Sequence, residues 1–108
     1  MRFKAVYHIG GQIEAHSKLS PGRLTISTDS LSLSGSESFA IPLKSVTAVE
    51  LLRPQPRLPI MVRVLGGPQP LFLTIVFFRL FGLIIGDVDG TIRLYDALQD
   101  RMLRAGGA

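Results

Sequence analysis

Few side chains in this chain could perform catalysis or hold a metal ion. His8 and His16 are the only histidines, cysteine is absent, and neither histidine has a pair of carboxylates at ligand spacing nearby. Because zinc sites need several such ligands, we expect no metal site. Asp87 and Asp89 could be imagined as a paired acid and base, but aspartates two residues apart at the start of a helix usually cap it.

Motifs for a nucleophile or a nucleotide are also missing. Serines are frequent between Ser17 and Ser38, yet none lies in the Gly-x-Ser-x-Gly pattern that exposes a nucleophilic serine. The glycine pairs at 10–11 and 66–67 lack the spacing of a dinucleotide loop and are typical of turns. The sequence therefore predicts a protein that has no catalytic residues, is not an enzyme and needs no cofactor.

Basic residues outnumber acidic ones, with 12 Lys and Arg against 8 Asp and Glu and a net charge of +4. No carboxylate occurs in residues 51–86, which contain Arg53, Arg57, Arg63 and Arg79. This stretch could create a positive field that attracts anions, or its arginines could simply be solvated strand and loop positions. The sequence pI of 10.1 is compatible with nucleic acid. The few aromatic residues, however, cluster in a run typical of a core, which argues against nucleic acid as the partner.

The apolar pattern predicts one domain, residues 1–108, built mainly from short antiparallel strands. Alternating apolar and polar residues indicate strands, and turn residues such as Pro21-Gly22, Asp29-Ser30 and the Gly-Pro segment 66–70 separate them. Residues 1–9 form an N-terminal strand or extension, and the proline-rich residues 53–59 form an inter-strand loop. The predicted strands are 3–9, 13–19, 24–28, 31–33, 39–43, 46–52, 60–65, 71 to about 77, and 83–85, with a turn at 79–82.

The period changes near the C-terminus, where residues 89–104 fit an amphipathic helix. Asp87 or Asp89 can cap its start, and Gly106-Gly107 ends it. The predicted buried side consists of Ile92, Leu94, Tyr95, Leu98, Met102 and Leu103.

The longest apolar run, residues 71–85, is too short for a membrane-spanning helix, contains Arg79 and is interrupted by Gly82. No apolar core of a signal peptide follows Arg2 and Lys4. We therefore expect no transmembrane segment and a cytoplasmic protein, either free or peripheral to the membrane.

Three segments carry a resemblance to a known family. Residues 22–33 (GRLTISTDSLSL), 41–43 (IPL) and 46–50 (VTAVE) resemble the strand pattern of bacterial pleckstrin-homology (PH) and GRAM-type domains. The resemblance covers roughly residues 13–103. It implies a barrel of about seven antiparallel strands in two nearly orthogonal sheets, capped by one C-terminal helix. Many family members bind phosphoinositides through a basic motif in the first hairpin; Lys18 and Arg23 occupy that neighbourhood, and Thr25 stands at its final basic position.

Two functions follow as hypotheses. The first is a PH-like binding module that recognises an anionic lipid surface or a protein partner through some of Lys18, Arg23, Lys44, Arg53 and Arg57. The second is homo-oligomerisation, since mean hydropathy is positive at +0.34 and the chain has more apolar residues than one small core readily accommodates. Some of the following residues are then expected to stay outside the core and to form the interface: Phe72, Phe77, Phe78, Phe81, Leu83 and Ile85. A third interpretation treats Arg53-x-x-Pro56-x-x-Pro59 as a ligand for a polyproline-binding domain.

Overall fold

The computed structural model describes residues 1–10, 19–53, 60–80 and 83–106, without the side chains of 76–80, 83–85 and 106. Two predicted elements, the strand at 13–19 and the loop at 53–59, lie outside these residues except for Leu19 and Arg53. Within these residues, eight strands precede one long helix, and a short 3₁₀ turn, Leu43–Ser45, lies between the fourth and fifth strands. The elements are β1 (Arg2–Ile9), β2 (Ser20–Ile26), β3 (Ser30–Gly35), β4 (Ser38–Pro42), β5 (Ala48–Leu52), β6 (Met61–Leu65), β7 (Leu71–Leu80), β8 (Leu83–Gly86) and α1 (Val88–Gly106).

The strands form two antiparallel meanders joined into one curled sheet. The order is β4-β3-β2-β1-β7-β6-β5, and β8 pairs with β7. Strands β1 and β7 pair, with Ala5 opposite Ile75 and Ile9 opposite Leu71. This pairing joins the two meanders by hydrogen bonds into one sheet, whereas two nearly orthogonal sheets were predicted. The predicted fold class, mainly β with one C-terminal helix, is confirmed.

Side-chain alternation gives this sheet an apolar inner face that forms the main core. Leu24, Leu33, Leu73 and Val62 are all essentially inaccessible to water there. Each fully buried side chain of this size stabilises the fold by about 1.5–3 kcal/mol. The even-numbered residues of β1, including Lys4 and His8, point to the opposite, outer face.

Helix α1 packs against this core and begins earlier than predicted. The Asp87 carboxylate accepts a hydrogen bond from the Gly90 N–H at 2.9 Å, so of the two predicted caps Asp87 is the one that caps. Leu94 and Leu98 are buried, but Leu103 is 62% exposed. Its predicted burial is wrong because, at about 100° per residue, Leu103 lies about 180° from Leu94.

Two predicted turns are strand in the structure. Pro21-Gly22 lies within β2, where the ring of Tyr7 packs so closely on Gly22 that a Cβ there would come within 3.1 Å of it. Pairing of β2 with β3 starts only at Gly22, so the missing N–H of Pro21 costs no hydrogen bond on that side. Arg79 was predicted in a turn, but its backbone belongs to β7 and pairs with Ile84. The described part of the chain contains no helix that is both long and apolar enough to cross a bilayer.

Candidate anion-binding face

Three basic side chains meet on the outer face of the first meander. Lys4 in β1 lies directly opposite Arg23 in β2, and Arg2 lies opposite Thr25 in the same pair of strands. Because residues two apart in a strand share a face, Arg2 and Lys4 project on the same side as Arg23. All three are exposed.

Hydroxyl groups complete this surface. Ser34 of β3 lies opposite Arg23, and Ser32 lies opposite Thr25. Two shallow grooves of about 660 Å³ and 530 Å³ run over these strands, and both are lined by Lys4, Arg23 and Ser34. We call the set Arg2, Lys4, Arg23, Thr25, Ser32 and Ser34 the basic face.

The charges of the basic face have no compensating carboxylate among the residues that the structure describes. The described lining of the two grooves contains no carboxylate, and none of the ion pairs among the described residues involves Arg2, Lys4 or Arg23. Like charges directly opposite each other in a sheet destabilise it. An anion bound here would remove that repulsion and accept charge-assisted hydrogen bonds from the cations and further bonds from the serine hydroxyls.

A second basic cluster lies at the C-terminal end of α1. Lys44, Arg101 and Arg104 line a groove of about 540 Å³ together with Asp29. Arg104 is already paired with Asp100 at 3.2 Å, and the last carbonyls of α1 add negative potential. This cluster is therefore a poorer site for an anion than the basic face.

The structure separates the residues predicted to bind a ligand. Arg23 lies on the basic face, Lys44 lies beside the end of α1, and Arg53 is exposed immediately after β5. Lys18 and Arg57 lie outside the described residues. The partners of Arg23 are instead Arg2 and Lys4, which the sequence reasoning did not propose as binding residues. The sequence alone indicates that Arg2 and Lys4 share one face of β1, because they are two residues apart. Only the register between β1 and β2 shows that this face lies beside Arg23.

One arginine of the carboxylate-free stretch is neutralised across the sheet. Arg63 donates two hydrogen bonds to Glu50, from Nε to Oε1 at 3.1 Å and from Nη2 to Oε2 at 2.9 Å. Hydrogen bonding to Arg63, together with its charge, lowers the pKa of the Glu50 carboxyl below its ordinary value. Arg63 therefore adds little to any positive field around residues 51–86.

Neither a metal cluster nor a known relative defines the site further. Within the described ranges, no three His, Cys, Asp or Glu side chains are grouped so that they could hold a metal ion. The sequence matches no protein-family model and no curated protein. Membership of the PH-like family stays a prediction.

Proposed function

We propose that this chain is a non-enzymatic, PH-like module that binds an anionic lipid surface through the basic face. The observation that carries the proposal is the uncompensated pair of Lys4 and Arg23, directly opposite each other on neighbouring strands. A fold gains no stability from such a pair, so a role in binding explains its presence better than a role in folding.

The shape of the basic face fits a membrane better than it fits a small ligand. Its grooves are shallow, and its cations and hydroxyls project from one side of three adjacent strands. The cytoplasmic leaflet carries anionic headgroups, and each Lys or Arg near that surface contributes about 1 kcal/mol. Peripheral binding at that leaflet is the location this proposal implies.

Homo-oligomerisation remains the alternative function, and one of the candidate residues for its interface is buried. Phe72 is only 1% exposed, so it cannot contribute to a surface patch in the folded protein. The exposed large apolar residues among those described are Met1, Leu51, Val88 and Leu103.

The test is co-sedimentation with phosphatidylcholine vesicles, with and without phosphatidylserine, over a salt series. We expect binding only to the acidic vesicles and its loss as salt rises. Lys4→Glu combined with Arg23→Glu should weaken this binding about tenfold or more.

A matched variant controls for net charge. Lys44→Glu combined with Arg53→Glu makes the same change in net charge away from the basic face, and it should retain most of the binding. Equal losses in both double variants would show nonspecific attraction, and wild-type binding by the Lys4/Arg23 variant would refute the proposal. Binding to neutral vesicles that is insensitive to salt would refute it as well.

A further inference from the structure

The outer edge of β4 presents backbone groups for pairing. Strand β4 ends the hydrogen-bonded path, and among the described residues it pairs only with β3. The Leu43 N–H donates to the Asp29 carbonyl at 2.9 Å, and the Gly35 N–H donates to the Glu37 carbonyl at 3.1 Å. Because hydrogen-bonded pairs alternate along an antiparallel ladder, the N–H and C=O groups of Ser38 and Ala40 point away from β3.

Pro42 supports this assignment. It belongs to the same alternating set as Ser38 and Ala40, and its missing N–H falls on the side where β4 has no partner strand.

An apolar cleft runs beside this edge and reaches the core. Its volume is about 440 Å³, within the range of ligand pockets. Two residues of its lining, Ile41 and Leu71, belong to the main core, and Ile9 and Phe39 pack against that core.

The opposite wall of the cleft, formed by Pro68 and Gln69, belongs to a firmly held turn. Gly66 has φ +117°, and a Cβ there would overlap the Ser45 carbonyl oxygen. A Cβ at Gly67 would come within 3.2 Å of the Ile41 Cδ1. The turn therefore packs closely against residues 45–47 and against Ile41, beside β4.

Glu37 is the one charged residue in the described lining of the cleft. The Tyr7 hydroxyl accepts a hydrogen bond from the Glu37 N–H at 3.1 Å and lies 3.0 Å from the Ser36 hydroxyl, so the turn that carries Glu37 is anchored to β1. A ligand complementary to this cleft therefore has a cation close to an apolar group.

We infer that β4 and this cleft bind an extended polypeptide segment of a partner protein. The segment pairs its backbone with Ser38 and Ala40, inserts a large apolar side chain beside Phe39, and places a Lys or Arg at Glu37. Main-chain pairing supplies affinity in this mode, and the side-chain positions supply specificity. The inference does not depend on the basic face, which shares none of these residues.

The probe is a displayed library of random peptides about ten residues long, selected on the full chain. We expect the enriched peptides to share a basic and a large apolar residue at one fixed separation. Selection on a Glu37→Lys variant should enrich acidic residues at the basic position. Amide shifts caused by an enriched peptide should map to β4.

Ala40→Pro removes the outward N–H while leaving the β3–β4 ladder intact, as Pro42 already does. It should weaken the binding of an enriched peptide about tenfold, because the complex loses one backbone hydrogen bond and the adjacent pairing is disturbed. Ala40→Ser, which keeps the N–H, should bind like the wild type. Amide spectra of each variant verify folding, and if Ala40→Pro fails to fold, the Glu37→Lys selection decides alone. Two selection results would overturn the inference: no enrichment, or a shared acidic residue in peptides selected on the wild type. It would also be overturned by wild-type affinity in a folded Ala40→Pro variant, or by amide shifts that map to the basic face.

Discussion

The arginines on the two halves of the sheet's outer face differ in their cross-strand neighbours. On the first meander, Arg23 faces Lys4 on one side and Ser34 on the other, so neither cross-strand neighbour neutralises its charge. On the second meander, Arg63 faces Glu50 and makes two hydrogen bonds to it. Both arginines are ordinary strand residues in sequence, and only their cross-strand neighbours distinguish a candidate site from a structural ion pair. Neutralisation by a cross-strand carboxylate, more than net charge, is therefore what distinguishes these two arginines.

The two halves also differ in burial. Phe72 lies in the same outer row as His8 and Arg63, yet it is almost inaccessible, and its ring centroid is 5.9 Å from that of His8. On the basic face, Lys4, Arg23 and Ser34 are all exposed. The second meander therefore buries a large aromatic ring on its outer side, whereas the basic face of the first meander is open to solvent.

The largest expected effect tests this difference in burial. Phe72→Ala should destabilise the fold by about 3–5 kcal/mol, because it removes a large buried ring and leaves a cavity. Ser34→Ala on the basic face should change stability by less than about 0.5 kcal/mol. Urea unfolding of the two variants measures both values, and equal stability would show that the outer sides do not differ as described.

The second-largest effect is expected from a variant that recreates the Arg63–Glu50 pair on the basic face. Ser34→Glu sets a carboxylate opposite Arg23, as Glu50 is set opposite Arg63. Acidic-vesicle binding should fall several-fold to about tenfold, because one cation is neutralised and a negative charge is added. Thr47→Glu makes the same charge change at an exposed position outside the basic face and should reduce binding less. A similar loss in both variants would argue against a localised site.

Sequence patterns predicted the strands well where the signal was local. Alternation around Leu24, Ile26, Leu31 and Leu33 placed β2 and β3, and all four residues are buried. The strand conformation of Pro21-Gly22 was missed because these residues pair with Val6 and Ala5 of β1, which is distant in the sequence.

The candidate sites depend even more on distant partners. The basic face requires the register that joins Lys4 to Arg23, and the cleft requires β4 to lie beside the turn that contains Pro68. Neither of these two spatial relations can be predicted from a short segment of the sequence. Local periodicity therefore predicts elements, whereas cross-strand register decides which charges meet.

The smallest effect concerns the compensated half and its dependence on pH. The pKa of Glu50 is lowered chiefly by its hydrogen bond with Arg63, so the folded state favours the ionised carboxylate. Its contribution to stability is present above the ordinary glutamate pKa and is lost as the pH falls through the lower pKa of the folded state. Glu50→Gln should therefore have a slightly lower Tm near neutral pH and a shallower fall in Tm with acid than the wild type. Thermal unfolding between about pH 6 and pH 3 measures this difference. A double variant, Glu50→Gln with Arg63→Gln, should follow the same shallow profile, and an unchanged acid profile in Glu50→Gln would mean that the pair does not stabilise the fold.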